Sequence, residues 1–132
     1  MTLVDTNVLL DVLTDDPHWA DWSISQLDSA AMRGPVRISD VVYAELSFRM
    51  TTLEALDAEL EEVQVTLERP PRVALFLAAK AFQLYRAAGG PRTSVLPDFF
   101  IGAHAAVIGC PLLTRDRRRY VTYFPTVELI TP

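Results

Sequence analysis

Cysteine, lysine and histidine are all scarce in this chain of 132 residues, which has one Cys, one Lys and two His. The lone Cys110 excludes an intramolecular disulfide and leaves a thiolate zinc site without partners. Positive charge is in deficit too. Twelve Lys and Arg face 17 Asp and Glu, a formal net charge of −5, which disfavours a module that binds nucleic acid by bulk charge alone. Long apolar runs are missing: the richest stretches contain Lys80, Asp98 or His104 and stay below the ~18 uninterrupted residues of a membrane helix. The start, Met1-Thr2-Leu3-Val4-Asp5, has no basic segment before an apolar run, so no secretory signal is expected. These absences leave a soluble cytoplasmic protein as the expectation. With half its residues hydrophobic and ~150 residues typical of a domain, residues 1–132 are expected to form a single domain with a proper core.

The chain punctuates itself with Pro and Gly. Thr2 to Asp5 reads as a short buried strand, followed by a helix with Val8, Leu9, Val12 and Leu13 inward and Pro17 as its stop. A second helix spans about His18 to Met32, with Trp19, Trp22, Leu27 and Ala30 inward, and Gly34-Pro35 breaks it. Val36 to Ile38 is a strand, and Ser39 is placed to cap a helix over 40–50. A Glu-rich helix over about 53–63 leads into an extended segment ending at Leu67. Pro70-Pro71 opens a helix to about Ala88, closed by Gly89-Gly90-Pro91. Pro97 sets Asp98 at the start of a helix to about Ile108. Leu112-Leu113 is a strand, Asp116 caps a short helix or turn to Tyr123, and 127–130 is a last strand. Strands alternating with helices predict an α/β fold: a short, mostly parallel central sheet flanked by helices on both faces.

Four acids stand apart from the solvated majority. Asp5 ends a buried strand, at the carboxyl edge where open α/β sheets place their sites. Glu45 lies in mid-helix, in line with Val41 and Phe48, where a carboxylate is costly unless paired. Asp98 opens an apolar helix whose Asp98, Gly102, Ala105, Gly109 line allows close approach of another element. Asp116 follows the Leu112-Leu113 strand. Each has an ordinary alternative, as a helix cap or a rim acid. Together, strand-end positions of a parallel sheet gather on one edge. Clustered carboxylates repel, and divalent cations relieve that repulsion. Oxygen-only ligands favour Mg²⁺ or Mn²⁺ over zinc, and two such ions can drive in-line phosphodiester hydrolysis.

The segments Val4-Asp5-Thr6-Asn7-Val8-Leu9-Leu10-Asp11, Ser39…Ala44-Glu45-Leu46, Leu96-Pro97-Asp98-Phe99-Phe100-Ile101-Gly102-Ala103-His104-Ala105 and Leu113-Thr114-Arg115-Asp116…Tyr120 resemble, in order and over the whole chain, PIN-domain ribonucleases. In size and layout the chain is similar to the VapC toxins of bacterial toxin–antitoxin pairs. The resemblance implies a PIN fold and a Mg²⁺- or Mn²⁺-dependent endoribonuclease. Asp5, Glu45 and Asp98 would be its main metal ligands, with Asp116 completing the set. It implies that Thr6 and Asn7 support the first acid and that Thr114 is a hydroxyl beside the fourth. It further implies tRNA or ribosomal RNA as target, inhibition by a VapB-type antitoxin, and a homodimer or toxin–antitoxin hetero-oligomer. Tyr120 stands where the family often has Phe, and the exchange is expected to be neutral.

Arg115, Arg117, Arg118 and Arg119 surround Asp116 and are candidates to contact RNA phosphates; local ion pairing is the ordinary alternative. His104 is set some 240° around its helix from Asp98 and reads as a core histidine. A strand-ending Asp5 also suits a haloacid-dehalogenase-type phosphatase, but that chemistry wants Asp-x-Asp and Asn7 holds the second position. A phosphorylated receiver domain wants a lysine after a late strand, and Lys80 lies in mid-helix. The remaining alternative is a PIN-fold binding module without activity that acts through protein or RNA partners.

Overall fold

In the computed structural model, which describes residues 1–132, the first strand ends where its side chains change character. β1 (Thr2–Val4) buries all three residues. Successive strand side chains point to opposite faces, so both faces of the sheet are covered at its centre. Asp5 then adopts extended backbone angles, and its side chain accepts from the Thr6 N–H, capping α1 (Thr6–Leu13). The remaining elements are α2 (Ala20–Arg33), β2 (Val36–Ile38), α3 (Asp40–Ser47), α4 (Leu53–Glu62), β3 (Val65–Leu67), α5 (Arg72–Ala87), a 3₁₀ turn (Thr93–Val95), α6 (Leu96–Ile108), β4 (Leu112–Leu113), α7 (Arg118–Tyr123) and β5 (Leu129–Ile130). The sheet order is β3-β2-β1-β4-β5, and every pairing is parallel.

The topology places the site. From β1 the chain builds outward through β2 to β3, then returns to the other side of β1 with β4. The direction of winding therefore switches between β1 and β4, and open α/β sheets form a crevice at the carboxyl ends of such a pair. Val4 pairs with Leu113 in register, and the Asp5 N–H donates to the Leu113 carbonyl at 2.9 Å. The residues that follow, Asp5 and Thr114, are thereby brought level.

The helices obey their sequence signals with a few instructive departures. α1 stops at Leu13, before Pro17, and α3 stops at Ser47 rather than near Met50. Ser39 does precede α3, but its hydroxyl makes no capping bond. It is used instead by the buried His104, whose Nδ1 lies 3.0 Å from Ser39 Oγ. The Val41, Glu45, Phe48 line is no buried row: Phe48 is 90% exposed, so Glu45 sits on a rim. The helix expected to begin at Asp98 begins at Leu96, and Pro97 occupies its first turn, where no donor is lost. The small-residue line on α6 does what was expected of it. Gly102 is buried, and the Phe124 ring takes the space that a Cβ there would need.

Candidate active site

Asp5 is the centre of the carboxyl edge. Its Oδ2 accepts from Thr114 Oγ1 at 2.7 Å, Tyr120 Oη at 2.9 Å and Asn7 Nδ2 at 3.3 Å. Its Oδ1 accepts from the Thr6 N–H at 2.7 Å. Even so, burial pushes its carboxyl up to about 6, with the charge of Asp98 adding to the rise and the hydrogen bonds opposing it. A carboxylate so well bonded and still hard to ionise is short of positive charge.

Asp98 and Asp116 complete a cluster that is felt electrostatically. Asp98 is raised chiefly by burial, with Asp116 adding repulsion and Arg119 opposing both. Arg119 reaches Asp98 Oδ2 at 2.8 Å. Asp116 is more open and is lowered, first by its hydrogen bond with Arg118. It accepts from the Arg118 N–H at 3.1 Å, so it caps the first turn of α7 from two residues before. Glu45 is tied in through Thr6, whose Oγ1 donates to Glu45 Oε1 at 2.7 Å. Thr6 thus uses its N–H on Asp5 and its hydroxyl on Glu45.

The supporting residues form one braced unit. Asn7 Nδ2 points to Asp5 and, at 3.4 Å, to Thr114 Oγ1, while its Oδ1 accepts from the Arg115 N–H at 3.1 Å. Thr114 is fully buried and its hydroxyl also receives the Asp116 N–H. Sequence reasoning placed Thr6, Asn7 and Thr114 at the site, and each touches an acid or bridges two.

One expectation needs correction. Tyr120 is not a neutral replacement for Phe: its hydroxyl, buried with the rest of the ring, donates to Asp5, and burial among three acids holds the phenol well above its ordinary pKa. The signal was present, a Tyr four residues after Asp116, but only the tertiary packing aims it. Of the two readings open for the arginine run, local ion pairing describes three of its four residues. Arg115 forks onto the buried Asp11 at 2.7 and 2.9 Å, and its guanidinium lies 4.9 Å from the Trp19 ring centre. Ser23 donates to the same Asp11 at 2.7 Å. Arg118 and Arg119 pair with Asp116 and Asp98. Acids short of counter-charge have taken the nearest cations. Arg117 is exposed and pairs with no acid.

As the side chains stand, no three acidic or imidazole groups form a ready set of metal ligands, because each acid is turned to a neighbour. In chemistry the donors still fit a hard dication: all are carboxylate oxygens, and the buried Asp5 lacks the positive charge that would let it ionise. The largest groove on the surface, about 670 Å³, lies elsewhere, between Tyr43, α4 and the free edge of β3.

The PIN domain family model matches residues 2–125. The chain belongs to the PIN domain family, and its fold is the single α/β PIN domain expected from the sequence. No curated protein matches it. Among solved structures, it is similar to VapBC2 from Rickettsia felis bound to a DNA fragment from the promoter, with 18% identity over 98% of this chain and 97% of that one and a TM-score of 0.74. It is also similar to FitAcB from Neisseria gonorrhoeae, with 20% identity over 98% and 96% of the two chains and a TM-score of 0.69. The third is VapBC-1 from nontypeable Haemophilus influenzae, with 18% identity over 98% and 96% and a TM-score of 0.70. At these identities the likeness is one of fold. No helix is long and apolar enough to cross a membrane.

Proposed function

We propose that this chain is a VapC-type toxin, an endoribonuclease dependent on Mg²⁺ or Mn²⁺ and restrained by a VapB-type antitoxin. The observation that carries the reading is the convergence of Asp5, Asp98 and Asp116 at the switch of the sheet, with Asp5 pushed up to about 6. Such a cluster is costly to maintain for its own sake, and a dication would stabilise it.

Asp5, Asp98 and Glu45, with Asp116, would hold the ion, whose chemistry when bound is to activate water and stabilise the departing oxygen of a phosphodiester. The chain's own residues do the positioning. Thr6 fixes Asp5 and Glu45 relative to each other with its N–H and its hydroxyl. Thr114, Asn7 and Tyr120 lock Asp5 Oδ2 from just past β4, from α1 and from α7. The phenol of Tyr120 stays protonated and therefore remains a donor. Arg117 and Arg118 are exposed beside Asp116 and offer charge to an RNA backbone; Arg115 serves the scaffold.

Partners follow the same reading. A homodimer is supported by the outer face of α5, where Val73, Phe76 and Leu84 are each at least 64% exposed; apolar side chains grouped on one exposed helix face suit a protein interface. An antitoxin would cover the acidic edge, giving a toxin–antitoxin hetero-oligomer. The working place of such a pair is the cytoplasm, with tRNA or ribosomal RNA as substrate.

The test is cleavage of total bacterial RNA by purified protein with Mg²⁺ or Mn²⁺, with EDTA, and with Asp98→Asn. Discrete fragments that need metal and vanish in the variant are expected. Absence of both fragments and Mn²⁺ binding in a folded protein would reject the nuclease and favour a binding module of the same fold.

A further inference from the structure

Arg119 differs from the other cations of its run. Arg115 is committed to Asp11. Arg118 has an 81% exposed side chain, and its guanidinium comes no closer than 3.3 Å to Asp116. Arg119 is 22% exposed, and its Nε and Nη2 both lie 2.8 Å from Asp98 Oδ2. It is the only side-chain partner that Asp98 has, whereas Asp5 is bonded by Thr114, Tyr120 and Asn7. The next residue, Tyr120, is buried and bonded to Asp5, so the backbone of Arg119 is anchored at the acids while its long side chain can swing.

A dication brought onto Asp98 Oδ2 competes with the guanidinium for that oxygen and repels its positive charge. When Asp98 turns to a metal, the guanidinium loses its only acid partner but stays tethered beside the site. Its planar fork then matches a phosphate, which it can grip with two N–H bonds. We propose that Arg119 is the exchangeable counter-cation of the site: it holds Asp98 in the metal-free protein and, once displaced, grips a phosphate of single-stranded RNA beside the acids. This rests on the nuclease reading and adds to it the residue that couples metal entry to substrate binding.

The two roles predict opposite effects from one substitution. In Mn²⁺ titrations followed by calorimetry without RNA, Arg119→Gln should bind Mn²⁺ about fivefold tighter than wild type, the size of a partly exposed ion pair. Arg33→Gln, at the end of α2 beside the chain's first residue and the opposite edge of the sheet, should bind as wild type does. With Mn²⁺ present, a fluorescent twelve-nucleotide RNA single strand with 2′-O-methyl and phosphorothioate groups should bind Arg119→Gln roughly fivefold more weakly. Its slope of log affinity against log salt should shrink by about 0.7, one phosphate's share. A residue that merely braced the fold would weaken both. Unchanged or weaker Mn²⁺ binding, or unchanged RNA binding, overturns the inference. Should Arg119→Gln fail to fold by circular dichroism, Arg119→Met keeps the apolar stem and is read the same way. Wild-type protein that binds Mn²⁺ no better than Asp98→Asn would sink the nuclease reading itself, a failure distinct from that of Arg119.

Discussion

Gly102→Ala is the perturbation that most directly tests how the site is held together. In an exposed helix this exchange stabilises by ~1 kcal/mol, because Ala has less backbone entropy to lose. Here an added Cβ would lie 2.3 Å from Phe124 Cδ2, 2.5 Å from Cε2 and 3.0 Å from Cγ. Carbon atoms need about 3.5 Å or more, so the ring or the helix carrying it must move by roughly 1 Å. The ring has little room to turn. It is 4% exposed and packs edge-on against Phe99, with centroids 6.1 Å apart. Overpacking of this kind costs about 1–3 kcal/mol, and a clash this close sits in the upper part of that range, so the propensity gain is outweighed and the net loss is up to about 2 kcal/mol. In a Phe124→Ala background, itself about 3–5 kcal/mol less stable, the clash is gone. Gly102→Ala should then stabilise, by up to ~1 kcal/mol. Urea unfolding of the four proteins reads the cycle. The same sign in both backgrounds, or a more stable single variant, would refute the reasoning. Phe124 closes α7, which carries Arg119 and Tyr120 to the acids. The single variant should therefore also bind Mn²⁺ more weakly.

Asp5, held near 6 against a reference of 3.8, should make the metal-free protein more stable in mild acid. A raised carboxyl favours the protonated fold; that stability is complete below 3.8 and is lost as pH rises through about 6. The shift corresponds to about 3 kcal/mol. Urea unfolding in EDTA should show the fall between about pH 4 and 6.5, with a plateau above. Asp5→Asn should flatten it, and an equal slope in the two proteins would contradict the assignment. Arg115→Ala should cost about 2–4 kcal/mol, because it strands the buried Asp11 and Ser23 pair. A loss under ~0.5 kcal/mol in the same assay would return Arg115 to the surface charges.

Much was legible in the chain because its signals are local. Pro and Gly mark the ends of most elements, the strand over 36–38 and the strand at 112–113 stand where periodicity placed them, and strand-end acids of a parallel sheet must share an edge whatever their separation. The small line on α6 announced a close neighbour, though not that it would be Phe124. What stayed hidden was the choice among partners. Ser39 had two uses for its hydroxyl, and the sequence favoured the nearby cap; packing of α6 over α3 supplied His104, a buried ring that needed a partner more. Tyr120 gained a role only when α7 turned its hydroxyl onto a residue 115 positions earlier. The four arginines read alike in sequence, yet the fold sends Arg115 into the scaffold, Arg119 to Asp98 and Arg118 to Asp116, and leaves Arg117 free. Backbone propensity and apolar period are written into neighbouring residues, so the sequence alone determined the order of elements and the edge where the acids meet. Which oxygen meets which donor depends on ångström distances across residues far apart in the chain, and only the tertiary structure decided that.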